Sequence, residues 1–160
     1  MVNKKTNDIR LVVTDIDGVW TDGKFYYTQD GYTSKAFSTY DGMGVELLFK
    51  AEIDVAIITS ERSNEVQARA DKLGIEHVYI GEKHKLKRIN YLCSILNLKK
   101  NNIAFIGDDL NDLEALKAVG LSAMPPNSPI LELFNPDYIT NRRGGEGAFR
   151  DFADFILQNL

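Results

Sequence analysis

Cysteine is nearly missing from this chain. A single residue, Cys93, stands among 160, so no intramolecular disulfide can staple the fold and no thiol pair is available to a metal. Histidine is scarce too, and neither His77 nor His84 has an acidic or metal-triad partner at a telling spacing. Four prolines, no internal repeat and no low-complexity or linker stretch give nothing at which to divide the chain, so one domain over residues 1–160 is expected. Long apolar runs are absent: the polar, basic residues 1–10 lead into Leu11-Val12-Val13, too short for a signal-peptide core or a membrane span. Positive charge is not in excess either. Nineteen basic against 23 acidic residues leave a net charge of −4, which excludes nucleic-acid binding by bulk positive charge. A reducing, cytoplasmic compartment is the simplest expectation from the cysteine usage and the missing export segment.

What is present is a regular alternation. Strand-length apolar runs recur at Leu11-Val12-Val13, Val55-Ala56-Ile57-Ile58, His77-Val78-Tyr79-Ile80, Ile103-Ala104-Phe105-Ile106, Leu121-Ser122-Ala123-Met124 and Tyr138-Ile139-Thr140. Helical spacing separates them: Val66, Ala70 and Leu73; Leu86, Ile89, Leu92, Cys93 and Leu96; Leu113, Leu116 and Val119. A final helix over 148–157 puts Phe149, Phe152, Ala153 and Ile156 on one side. This is an α/β pattern, and it predicts a doubly wound parallel sheet with helices on both faces. One segment interrupts it. Between residues 24 and 37, aromatic and β-branched stretches flank Gln29-Asp30-Gly31, a hairpin signal directly after the first strand, where the hairpin would overhang the ligand crevice as a flap.

The chemistry sits at two strand ends. The first strand runs into Asp15-Ile16-Asp17-Gly18, two carboxylates two positions apart on extended chain and therefore pointing the same way, followed by a glycine that permits a sharp turn. The fourth runs into Gly107-Asp108-Asp109-Leu110-Asn111-Asp112. Acid crowded at neighbouring strand ends is costly unless a cation is present, and hard oxygen donors of this kind suit Mg²⁺.

These residues carry a resemblance. Asp15-Ile16-Asp17-Gly18-Val19-Trp20-Thr21-Asp22-Gly23, then Thr59 after the second strand, Lys85 before a helix, and Gly107-Asp108-Asp109-Leu110-Asn111-Asp112 look like the four ordered motifs of the haloacid dehalogenase-like phosphotransferase superfamily. Within it, the tail Arg142-Arg143-Gly144-Gly145-Glu146-Gly147 resembles the capless group. That group comprises 3-deoxy-octulosonate 8-phosphate phosphatases, phosphatases of nine-carbon keto sugar acid 9-phosphates, and the related non-catalytic, tetramerising domain of acylneuraminate cytidylyltransferases. The resemblance implies Asp15 as nucleophile, Asp17 as general acid and base, and Thr59 and Lys85 as holders of the phosphoryl oxygens. It also implies Mg²⁺ bound by Asp15, Asp108 and the backbone carbonyl of Asp17, with Asp112 and Asp109 supporting that shell. Each role fits its residue type: a carboxylate attacking phosphorus divides one displacement into two, and an ammonium stabilises developing charge.

For the substrate, the resemblance points to residues 38–42 (Ser38, Thr39, Tyr40, Asp41 and Gly42) as a contacting loop, with Asp41 equally able to cap the helix expected over 42–50. Octulosonate enzymes typically read Thr-Gly-Arg after the second strand; here the run is Thr59-Ser60-Glu61, so a glutamate stands where they carry arginine. The nine-carbon phosphatases resemble this chain there, with Arg69 and Lys72 matching basic residues on the following helix, although Glu65 is also placed to pair with Arg69. The expected function is therefore hydrolysis of a nine-carbon 9-phosphate, with the octulosonate 8-phosphate as the alternative; a non-catalytic assembly domain is the third reading, against which Asp15, Asp17, Lys85 and Asp108 all stand intact. Trp20 would wall the pocket or join the core. Since the resemblance implies no cap domain, it also implies a homotetramer in which Phe25, Tyr26, Tyr27 and Tyr32 of packed hairpins bury together. A neighbour's surface with the glycine-rich tail then completes the pocket, unless the tail only caps the last helix.

Overall fold

A computed structural model describes residues 6–31 and 33–160; Tyr32 and the first five residues of the polar N-terminal stretch lie outside the described residues. Six strands, β1 (Leu11–Thr14), β4 (Asp54–Thr59), β5 (His77–Ile80), β6 (Ile103–Ile106), β7 (Leu121–Met124) and β8 (Tyr138–Ile139), form one parallel sheet in the order β5-β4-β1-β6-β7-β8. Strands β2 (Tyr26–Tyr27) and β3 (Thr33–Ser34) make the separate hairpin, antiparallel with Tyr26 opposite Ser34. Five α-helices are described: α1 (Thr39–Lys50), α2 (Asn64–Leu73), α3 (Lys85–Ile95), α4 (Leu113–Ala118) and α5 (Ala148–Gln158).

Period-two alternation in the central strands explains the double winding. Val12 faces the side covered by α1, α2 and α5, where Val45, Leu48, Val66, Phe149 and Phe152 are buried with it. Leu11 and Val13 face the opposite side, against Ile89 and Leu92 of α3 and Leu116 of α4. Strands buried on both faces must be apolar throughout, which is why the runs in β1, β4 and β6 read as unbroken hydrophobic stretches, while the edge strand β5 is only half-buried. Trp20 belongs to this core. It is fully buried, its ring centroid lies 5.0 Å from that of Phe149, and its Nε1–H donates to Thr14 Oγ1 at 3.0 Å.

The order in space has one consequence for function. From β1 the chain winds outward through β4 and β5, then returns to the other side of β1 for β6, β7 and β8. The two directions part between β1 and β6, and in such sheets a crevice opens at the carboxyl ends of the strands there. Asp15 follows β1 and Asp108 follows β6, so the topology brings together carboxylates 93 positions apart in sequence.

Candidate active site

The turn after β1 is built around Ile16, whose carbonyl accepts from the N–H groups of Val19, Trp20 and Thr21 at 2.9 to 3.2 Å. Gly18 takes a positive φ of 93° within it, and a Cβ there would fall 1.9 Å from Asp108 Oδ2. Glycine is therefore required twice, by the backbone conformation and by the approach of the second acidic cluster. The tail locks the same turn from outside: Gly145 N–H donates to Val19 O at 3.1 Å, and a Cβ on Gly144 would overlap the Gly18 carbonyl. These tail glycines thus pack against their own chain's acidic turn, and Gly147, at φ 99°, sits at the N-cap position of α5.

Lys85, the first residue of α3, reaches under the turn and is 2% exposed. Its Nζ lies 2.9 Å from Asp15 Oδ1 and 2.5 Å from Asp112 Oδ1. Asp112 turns its other oxygen to the N–H groups of Asp108 (2.9 Å) and Asp109 (3.2 Å), so one buried carboxylate fixes both the lysine and the β6 turn. Asp109 caps the short 3₁₀ turn Leu110–Asp112 by accepting from Leu110 N–H at 2.7 Å.

Burial, with the negative charge of Asp112 beside it, raises the Asp15 carboxyl to about 7 against the pull of Lys85. Burial and the neighbouring Asp15, Asp112 and Asp109 raise Asp108 to about 8. Burial alone would lower Lys85, but Asp15 and Asp112 outweigh it and hold the side chain as an ammonium. Three carboxylates share one ammonium here. Ligand oxygens of Asp15, Asp108 and Asp112 lie within 4.8 Å of one another, and this excess of hard oxygen donors fits a divalent cation, which would restore the ionised carboxylates. Because both oxygens of Asp112 are already engaged, Asp108 and Asp15, the latter with one oxygen on Lys85, are the side chains better placed to ligate it.

A cavity of about 240 Å³ opens above these groups, lined by Asp15, Asp17, Phe25, Thr59, Glu61 and Asp108 among others. Thr59, 1% exposed at the end of β4, has a hydroxyl with no hydrogen-bond partner among the described residues. A buried unsatisfied hydroxyl in a cavity wall is a ready donor to a ligand oxygen. Ser60 Oγ accepts from Asn111 Nδ2 at 3.1 Å, closing the rim between the β4 and β6 turns.

Residues 33–120, more than half of the chain, match the family described as haloacid dehalogenase-like hydrolase. The 3-deoxy-D-manno-octulosonate 8-phosphate phosphatase of Yersinia pestis is 40% identical over 156 residues, covering 98% of this chain and 83% of that one. This chain belongs to the haloacid dehalogenase-like hydrolases. Among solved structures, the 3-deoxy-D-manno-octulosonate 8-phosphate phosphatase of Moraxella catarrhalis, in complex with magnesium, phosphate and KDO, superimposes with a TM-score of 0.95 at 37% identity over 99% of this chain and 91% of that one. The cobalt-bound deoxy-D-mannose-octulosonate 8-phosphate phosphatase of Haemophilus influenzae gives a TM-score of 0.91 at 35% identity, covering 97% of this chain and 91% of that one. Within the haloacid dehalogenase-like hydrolases the chain is a phosphoric monoester hydrolase, and Mg²⁺ is its cofactor.

The residues expected to select the substrate are scattered by comparison. Glu61 lines the cavity, while the adjacent Arg62 turns to a second space of about 780 Å³ beside Thr33, Asn64 and Gln67. Ser38 caps α1, accepting from Tyr40 N–H at 3.2 Å, so that helix starts at Thr39 rather than Gly42. Thr39 and Tyr40 are exposed, and Gly42 is small because Arg69 Nη2 would lie 2.7 Å from a Cβ there. Asp41 is buried and caps a different helix from the one expected, its Oδ1 accepting from Arg150 N–H in the first turn of α5 at 3.0 Å. Arg69 reaches back to Ser38 O (3.4 Å) and Lys72 is exposed. Glu65 is engaged by Ser63 Oγ at 2.7 Å and Thr33 Oγ1 at 3.4 Å, which occupies the carboxylate that sequence spacing offers to Arg69.

Sequence reasoning passed over one residue that the structure brings to the site. Lys35, at the end of the hairpin, places Nζ 2.8 Å from both carboxylate oxygens of Asp17. The available signal was a basic residue at the end of a partly aromatic flap that also begins with Lys24, and its partner lies 18 positions away.

Proposed function

We propose that this protein hydrolyses the phosphomonoester of a 3-deoxy keto sugar acid, with 3-deoxy-D-manno-octulosonate 8-phosphate as substrate, through an aspartyl-phosphate intermediate. The observation that carries the reaction is the convergence of Asp15, Asp108 and the Thr59 hydroxyl, which has no partner among the described residues, on one cavity at the parting of the sheet, with Lys85 paired to Asp15 from beneath. A carboxylate oxygen of Asp15 attacks phosphorus while the sugar oxygen leaves with a proton from Asp17; Asp17 then takes a proton from the water that cleaves the acyl phosphate. Lys85 and Thr59 hold phosphoryl oxygens as charge shifts onto them. Asp15, Asp108 and the backbone carbonyl of Asp17 would hold Mg²⁺, which supplies positive charge against the incoming phosphoryl group when bound.

The eight-carbon substrate is favoured by the names and near-complete coverage of the similar proteins. It displaces the nine-carbon reading from first place. One observation still favours a nine-carbon acid such as KDN or N-acylneuraminate 9-phosphate: Glu61 lines the cavity. On this reading Ser38, Thr39, Tyr40, Asp41, Gly42, Arg69 and Lys72 serve the sugar end of the substrate, Asp41 and Arg69 by holding the loop from below. Residues 1–160 act as one cytoplasmic domain without a cap, assembled as a homotetramer through its hairpins. Tyr26 and Tyr27, 56% and 72% exposed, are the surface that supports this assembly.

Phosphate release from a panel of sugar phosphates, with and without Mg²⁺, tests the proposal. Preference for the 8-phosphate by tenfold or more supports it; preference for a nine-carbon 9-phosphate reverses the two readings, and inactivity on both removes the substrate class. Light scattering separates tetramer from monomer.

A further inference from the structure

The hairpin reaches the acidic turn through the contact of Lys35 with Asp17. Lys35 follows β3, and its side chain is 1% exposed, so an ammonium has been taken out of water at a desolvation cost. What offsets that cost is contact with both oxygens of Asp17 at 2.8 Å and with the face of Phe25, whose centroid lies 4.6 Å from Nζ. The hydrogen-bonded Glu65 adds a second negative charge nearby. Hairpin stability alone does not ask for this arrangement, since an apolar side chain of similar length would pack on Phe25 without the desolvation cost. The charge is directed at Asp17, which extends from the turn after β1 and whose carboxylate is held by a donor outside the sheet.

We propose that Lys35 is a positioning residue for Asp17, so that the aim of the proton-transferring carboxylate depends on a side chain supplied by the hairpin. With both oxygens engaged, the leaving oxygen of the substrate must displace one Lys35 contact. The remaining contact fixes the side chain while the freed oxygen faces the bond that breaks. The inference rests on the acid–base role of Asp17 given under the proposed function, and the test separates the two.

The test uses leaving groups of different need. A sugar alkoxide requires a proton from the enzyme and p-nitrophenolate does not, so a lesion acting through Asp17 slows the first far more than the second. For Lys35→Met, single-turnover release of the alcohol from the sugar phosphate should fall roughly 10- to 100-fold, with the p-nitrophenol burst within about threefold of the parent enzyme. Lys35→Arg should recover much of the loss. In an Asp17→Asn background, Lys35→Met should add little further loss, as expected for two residues acting as a unit. Equal loss on both substrates, full additivity with Asp17→Asn, or no loss at all would overturn the inference. If Asp17→Asn itself slows both substrates alike, the acid assignment fails and takes the positioning role with it; if Asp17→Asn is selective and Lys35→Met is not, only the inference about Lys35 falls. Thermal melting of each variant distinguishes an unfolded protein from a slowed one, and Lys35→Arg keeps the question answerable if Lys35→Met melts.

Discussion

The two ends of the candidate site are built differently. At the reacting end, Asp15, Lys85, Asp108 and Asp112 are interlocked: the lysine bridges two carboxylates, and one of these also fixes the backbone of the β6 turn. At the sugar end, Glu61 alone lines the cavity, Arg69 and Asp41 are turned into the structure beneath the loop over residues 38–42, and Lys72 is exposed. At the reacting end Asp15 and Asp108 follow strand termini in the middle of the sheet, where neighbouring strands dictate position, and Lys85 and Asp112 are tied to them by ion pairs and backbone hydrogen bonds. The sugar end is spread over several elements: Asp41 in the first turn of α1, Arg69 and Lys72 in the second half of α2, and Glu61 just after β4. On the proposed function, the reacting groups are fixed around the centre of the sheet, and selectivity is left to parts that can vary without disturbing them.

Substitutions at both ends sharpen that contrast. Asp15→Asn should lower turnover by roughly 10⁴-fold or more, since an amide cannot form the acyl phosphate, and residual activity near the parent level would break the mechanism. Stripping divalent cations with a chelator should abolish activity, and Mg²⁺ should restore it. Mg²⁺ at about 100 times its dissociation constant should also stabilise the fold by about 2.7 kcal/mol in urea titrations, an effect lost in Asp108→Asn. Asp112→Ala should cost about 3–5 kcal/mol of stability by leaving a buried ammonium half-paired, and should slow turnover through a displaced Lys85. At the sugar end, Glu61→Arg should move the ratio of kcat/KM for eight- against nine-carbon substrates about tenfold toward the former while leaving the p-nitrophenyl phosphate rate unchanged. An unmoved ratio would remove Glu61 as a selector.

The smallest effect on turnover is expected at Asp41, where pH is the probe. Burial raises this carboxyl to about 7 against the hydrogen bond from Arg150 N–H and the charges of Arg69 and Arg142. In the unfolded chain it titrates near its ordinary 3.8. Between these values the folded state holds the extra proton, so stability falls as pH rises from about 4 to about 7 and the penalty is complete above that. Asp41→Asn keeps the cap on α5 without the titration. The gap in melting temperature between the parent and this variant should therefore change across that window and be constant on either side. A gap independent of pH would show that Asp41 is ionised throughout.

Much of this was legible in the residues. Unbroken apolar runs read as strands because a doubly covered parallel sheet leaves no polar face, and the alternation with helical spacing follows from that same burial. Paired acids after two of those runs pointed to a cation because like charges gather only where something neutralises them. Boundaries of α1 were less legible: Ser38, Asp41 and Gly42 can each begin a helix, and only the packing of α5 shows that Asp41 caps α5 instead. Trp20 could wall the cavity, although a Trp near a first strand is more often core, and its contacts with Thr14 and Phe149 place it in the core.

What the sequence by itself determined, then, is the set of elements and the local chemistry at each strand end, because both depend on neighbours within a few positions. Tertiary structure alone decided the order β5-β4-β1-β6-β7-β8, which sets Asp15 beside Asp108. It also decided the three-way contact of Lys85 with Asp15 and Asp112, the passage of the tail glycines against Gly18 and Val19, and the reach of Lys35 to Asp17. These are contacts between distant positions in the chain, set by how the sheet and its covering helices exclude water, and no local pattern encodes which buried charge will meet which.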